Sequence, residues 1–170
     1  FMKKGVYHKD KYTFSGMLSD EALWTFEFFS KSLADTLSDY LDVMEENHLC
    51  IPADDADELF DMLEDISADL RDDYHADCLQ LGRFRENILA FYDLAFSLCS
   101  DLEDDLSDAP LEAVYYSQVF VQGLKHFLPV MLQSLLMDLP ESQKLQQFIE
   151  QIQRDFSGLA PLDIHGSRLN

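Results

Sequence analysis

Glycine, proline, cysteine and basic side chains are all scarce in this chain, and each scarcity excludes something. Six Gly and five Pro in 170 residues leave too little turn punctuation for a many-stranded sandwich or barrel, so long helices become the default. No Gly-rich phosphate loop occurs, which removes the commonest nucleotide-binding device. The three cysteines, Cys50, Cys78 and Cys99, form neither a CxxC pair nor a Cys/His metal spacing. An odd count without such spacing implies free thiols in a reducing compartment. Only 12 Lys and Arg stand against 33 Asp and Glu, a net charge of -21. A body so acidic is repelled by nucleic-acid phosphates and by anionic lipid, and it attracts basic protein surfaces.

Long apolar runs are missing too. No apolar stretch that could act as a signal peptide follows Lys3 and Lys4, and the most apolar region, residues 113–137, is interrupted at its middle by Lys125 and His126. Each half, about 12 residues, suits a buried core helix better than a bilayer span. The expectation is a cytoplasmic protein with no membrane contact.

What is present is core material. Hydrophobic residues make up 47% of the chain, with 13 Phe and 7 Tyr, enough for one domain that needs no disulfide or metal staple. The charge is unevenly placed. Residues 1–11 hold Lys3, Lys4, Lys9 and Lys11 against Asp10, a balance of +3, so residues 12–170 carry 8 bases against 32 acids, or -24. Residues 1–18 therefore read as a flexible basic and aromatic arm, residues 19–158 as a single helical domain, and residues 159–170, with Pro161 and Gly166, as an extended tail.

Five helices follow from apolar spacings of three and four. The first, over 19–47, opens at Ser19 as N-cap with Asp20 and Glu21 in its first turn, and its stripe runs through Phe26, Phe29, Leu33, Leu37, Tyr40, Leu41 and Met44. Ile51-Pro52 breaks the chain and starts the second, over 52–80, with a stripe of Leu59, Met62, Leu63, Ile66, Leu70 and Tyr74. Gly82 acts as a stop before the third, over 83–104, marked by Phe84, Ile88, Phe91, Ala95, Leu98 and Leu102. Ala109-Pro110 opens the fourth, over 109–137, which is apolar on most sides and is expected nearest the centre, with a kink at Pro129. The fifth, over 140–157, buries Leu145, Phe148, Ile149, Ile152 and Phe156 and ends at Ser157-Gly158. The fold class is all-α, a single bundle of about five helices.

Four patterns invite chemistry. Asp101, Glu103, Asp105, Ser107 and Glu112 fall at positions 1, 3, 5, 7 and 12 of a calcium loop. Leu106 stands where the sharp turn needs Gly, and Asp108 and Pro110 break the pattern further, so an acidic linker that caps the next helix is the better reading. Glu45 to His48 matches the Glu-x-x-His of helical di-metal centres, with Asp72 to His75 a shortened imitation and Glu27 and Asp93 as imaginable additions. In a chain with 33 acids such matches arise by chance. Glu58, Asp61, Asp65, Asp69 and Asp72 line one helix side as in magnesium-dependent nucleotide pyrophosphohydrolases, yet Arg71 is the only base nearby to hold a nucleotide. Cys50 and Cys78 lie close in sequence to His48 and His75, which is not triad geometry. His126, within the most apolar helix, is the candidate for a buried polar network.

The function expected from this is interaction rather than catalysis, with no cofactor and no metal. The carboxylates of the second helix (Asp54, Asp57, Glu58, Asp61, Glu64, Asp65, Asp69, Asp72 and Asp73) and of the following linker (Asp101, Glu103, Asp104 and Asp105) would present a negative face to a basic partner surface. A nucleic-acid-binding protein has such a surface, so one version is a nucleic-acid mimic that inhibits it, as an immunity or anti-defence protein would. The alternatives are a cytosolic chaperone or adaptor that holds a basic segment or helix in an apolar groove, a metal-dependent helical enzyme, and an acidic surface that serves solubility alone.

Overall fold

Ser19 starts the first helix as its sequence context requires: its hydroxyl accepts the Ala22 amide at 3.0 Å, and α1 runs Asp20–Glu46. In the computed structural model, which describes residues 11–15, 18–49, 52–101, 105–137 and 139–157, four more helices follow: α2 Ala53–Ala76, α3 Leu81–Asp101, α4 Leu111–Leu136 and α5 Gln143–Asp155. The expectations for residues 1–10, Cys50, Leu102, Glu103, Asp104 and the 159–170 tail lie outside the described residues. Loss of the Ser19 cap, as in Ser19→Ala, is expected to lower the unfolding free energy by about 1 kcal/mol in a urea titration, because one first-turn amide then has only water.

The all-α architecture matches the sequence reading, and the contacts fix its topology. Phe26 meets Phe84 edge to face at 5.7 Å and Tyr40 lies beside Cys99, so α1 and α3 run in the same direction. Arg71 pairs with Glu27, and Ser67 with Ser30, which sets α2 antiparallel to α1. The Tyr92 hydroxyl donates to the Leu124 carbonyl while Cys99 lies beside Ser117, which sets α4 antiparallel to α3. Among the described residues α1 to α4 thus form an up-down-up-down bundle in which α1 touches α2 and α4, and α3 touches the same two. α5 packs across α3, with Phe156 against Tyr92 and Arg85 paired with Asp155.

The core is the apolar stripes brought together. Phe26, Leu33, Leu37, Tyr40 and Met44 of α1, Leu59, Ile66 and Leu70 of α2, Ile88, Phe91 and Ala95 of α3, and Phe148 of α5 have almost no exposed surface. At the α1/α4 seam the Tyr40 and Phe120 rings stack at 4.6 Å.

Five expectations need correction. The second helix stops at Ala76, not at residue 80. Asp77 adopts a left-handed φ of 54°, a conformation short polar side chains tolerate, and turns the chain into strand β2, Cys78–Gln80. That strand pairs antiparallel with β1, Thr13–Ser15, in the register Phe14 opposite Leu79, so residues 11–15 are docked rather than loose. Tyr12 is buried with its ring 5.3 Å from Phe148. Gly82 does not stop a helix but sits in the first turn of α3. The fifth helix begins at Gln143 with Ser142 as its cap, not at residue 140.

The fifth correction concerns α4. It continues through Pro129 as expected, but it is not central, because a four-helix square shows each helix's one face to the interior. Leu111, Tyr115, Val119, Val130 and Met137 lie exposed on its far side, and His126 is exposed among them rather than part of a buried network. By length and composition Leu111–Leu136 could cross a membrane, with 39% of its most apolar window buried in the bundle.

A candidate acidic face along the second helix

The carboxylates of α2 divide by helical phase. Its stripe of Leu59, Leu63, Ile66 and Leu70 is turned inward, and the positions one third to one half turn away point out. Asp54, Asp57, Glu58, Asp61, Glu64, Asp65 and Asp72 are all exposed. Among the described residues none of these seven is in an ion pair. Arg71, the one base of the helix, reaches across to Glu27 of α1 at 2.7 Å and leaves the outer row uncompensated. Neighbours three and four apart on a helix sit about 5 to 6 Å apart, so the row is a closely spaced line of negative charge along a helix of 24 residues.

Two of the expected face residues do other work. Asp73 is 3% exposed; its carboxylate takes the Arg83 guanidinium at 2.5 Å and the Gln80 amide at 3.0 Å. Asp69 is half-buried, accepts from Asn87 at 3.1 Å and stands 3.8 Å from Arg83. Together they fasten α2 to α3 and to the end of β2, and so leave the partner face. Burial, against the pull of the Gln80 amide and Arg83, raises the Asp73 carboxyl above its ordinary value. Helical phase separates Asp73 from Asp72, since Asp73 falls three residues after Leu70 and seven after Ile66, on the inward stripe; what the spacing does not show is the cation that meets it there, Arg83 of the next helix.

Of the linker carboxylates, Asp101 is exposed at the last residue of α3, at the bundle end where α2 begins. Glu103 and Asp104 lie outside the described residues. The backbone of Asp105 falls in a short 3-10 turn, Asp105–Asp108.

Between α1 and α2 the acidic face adjoins two open grooves of about 420 and 490 Å3 that share Phe60. Ala34 and Leu63 floor the first and Leu41 and Ala56 the second. Glu27 and Glu64 edge the first together with Lys31 and Arg71, and Asp42, Glu45 and Asp57 edge the second.

The metal and nucleophile candidates are not assembled. His48 lies beyond α1 with φ 60°; the His48 and Leu49 amides bond back to the Glu45 and Met44 carbonyls at 3.0 and 2.9 Å. This is a helix-ending turn with His in the place usually given to Gly, so Glu45 and His48 do not share a helix face. Among the described residues no group of three or more His, Cys, Asp and Glu is placed to hold a metal ion. Burial pushes the Cys99 thiol up to about 11, the opposite of what a nucleophilic thiolate needs.

No protein-family model matches the chain, and no curated protein or solved structure resembles it above chance. The class that fold and site define is an all-α bundle with one strongly acidic helix face.

Proposed function

We propose that this protein works by binding a basic macromolecular surface through the outer face of α2. The observation that carries this reading is the row of seven exposed α2 carboxylates without an ion pair among the described residues. Such a row costs the isolated helix a few tenths of a kcal/mol per like-charged pair, a cost that a basic partner removes. Carboxylates at this spacing fit Lys and Arg groups that otherwise hold phosphates, which makes a nucleic-acid-binding protein the favoured partner and inhibition by mimicry the favoured mode, in the cytoplasm.

The test is capture from the host's own lysate on the immobilised chain, against a variant carrying Asp57→Asn, Asp61→Asn, Glu64→Gln and Asp65→Asn. Basic nucleic-acid-handling proteins are expected on the native chain, released by rising salt and by added duplex DNA, and unaffected by chelator. The neutral variant should retain about a tenth as much, a loss of roughly 1.4 kcal/mol. Equal capture by the variant would refute the reading.

One observation favours a second reading, a chaperone or adaptor. The second α1/α2 groove has an apolar floor and acidic edges, which suits a basic amphipathic helix. A client held there is displaced by a basic amphipathic peptide and not by DNA.

A further inference from the structure

We infer that the outer face of α4 is a self-association surface, on which a second copy of this chain packs its own α4 antiparallel about a twofold axis. The face is anomalous for this protein. Across the 26 residues of α4 the only carboxylate is Glu112 and the only Lys or Arg is Lys125, whereas the whole chain carries -21. Two copies repel one another over most of their surfaces, and α4 is where they approach without setting like charges side by side.

Leu111 is 84% exposed, Tyr115 61%, Met137 48%, and Val119 and Val130 41% each. With Tyr116 at the rim these side chains leave roughly 600 Å2 open per copy, at the upper end of the patches that ordinary monomers show and close to the ~800 Å2 each partner contributes to a standard interface. A helix of this length extends about 39 Å, long enough for a pairing along its whole face.

The order of residues is also self-complementary. A twofold axis near residue 124 sets Leu111 of one copy against Met137 of the other and Gln122 against His126, with Val119 and Val130 within one residue of each other and Tyr115 opposite Gln133. Apolar groups then meet at both ends, beside the Tyr115–Gln133 pair. Near the axis Gln122 and His126, both exposed, can exchange a hydrogen bond twice, once on each side. An isologous contact needs this property, that each position faces a position that suits it.

The surface is independent of the acidic face on α2, and its salt dependence has the opposite sign. Contact with a basic partner weakens as salt rises. Pairing between two acidic copies tightens, since salt screens their mutual repulsion and leaves apolar burial intact.

Sedimentation equilibrium of the full chain, from about 5 to 200 µM and from about 0.05 to 0.5 M NaCl, tests this. A monomer–dimer equilibrium is expected, with a dimer constant at least threefold stronger at the higher salt. Tyr115→Gln with Val119→Gln, which leaves the charge unchanged, should weaken it at least tenfold while the circular dichroism spectrum and melting temperature stay near native. A monomer under all conditions overturns the inference. So does a dimer that the double variant leaves intact. Flotation with phosphatidylcholine vesicles that the same variant abolishes, without a dimer in solution, would assign the face to lipid and equally overturn it.

Discussion

Raising the pH through about 9 to 12 is expected to unfold this protein cooperatively, while its arginines are still charged. Three acidic groups that ionise in that range are buried in the core: Tyr40 and Tyr92, each 1% exposed, and Cys99, 9% exposed. Burial raises all three above their ordinary values; for Tyr40 the neighbouring Cys99 adds to the effect. The direction of the linkage follows. A group whose pKa is higher when folded keeps its proton in the native state while the unfolded chain releases it, so its contribution is intact below the unfolded value and is lost as pH climbs from that value to the folded one.

For Cys99 this window opens at 9.0 and closes at about 11, which removes roughly 3 kcal/mol. The two phenols act in the same direction from 10.0 upward. Against a total stability of about 5 to 15 kcal/mol for a domain, their sum suffices to tip the balance. Far-ultraviolet circular dichroism should change together with the part of the phenolate absorbance that Tyr40→Phe and Tyr92→Phe remove. Tyr40→Phe, which gives up a 3.5 Å bond to Ser117 and the contact with Cys99, should move that transition to higher pH. If that part of the absorbance rises at ordinary values while the helices persist, these two rings are open to solvent and the packing described here is contradicted.

Asp73→Ala is expected to lower the unfolding free energy by about 2 to 3 kcal/mol in urea, more than any outer-row carboxylate substitution. Breaking a buried ion pair by removing one member costs about 3 to 5 kcal/mol. The lower figure applies because the Arg83 side chain is 36% exposed and can turn partly to water. The Gln80 amide loses its acceptor as well. Asp73→Asn keeps an acceptor for that amide and should lose less.

The pH dependence separates this pair from an ordinary surface bridge. Because burial raises the Asp73 carboxyl in the folded state, the native protein binds that proton more tightly than the unfolded chain does. This group's contribution to stability therefore grows as pH falls through the folded value, and Asp73→Asn should remove that component. Asp61→Asn, in contrast, should change stability by no more than about 0.5 kcal/mol and in the stabilising direction, since it relieves repulsion in the row. A loss for Asp61→Asn equal to that of Asp73→Ala would invert the assignment of buried and outward positions on α2.

These contrasts show which features were legible in the order of residues. The stripes of α1, α2 and α5 needed only a spacing of three and four, because a helix places such positions on one side wherever it sits. Ser19 was readable as a cap for the same local reason. The docking of residues 11–15 was not, since three-residue strands carry no period and β1 meets a partner more than 60 residues away. The Glu45 to His48 match, set aside as a chance occurrence, assumes a helix that the left-handed turn at His48 has already ended.

The amino-acid order by itself determined that this protein is all-α, that about five helices share one core, and that the second helix is lined with carboxylates, because helical phase and charge are local properties. Only the tertiary structure decided what meets Asp73, which helical phase already places on the inward stripe, since its cation, Arg83, is contributed by another helix. It also decided that the most apolar helix turns one side to solvent, because four helices around a common core each offer it a single face, however apolar the rest of the helix is.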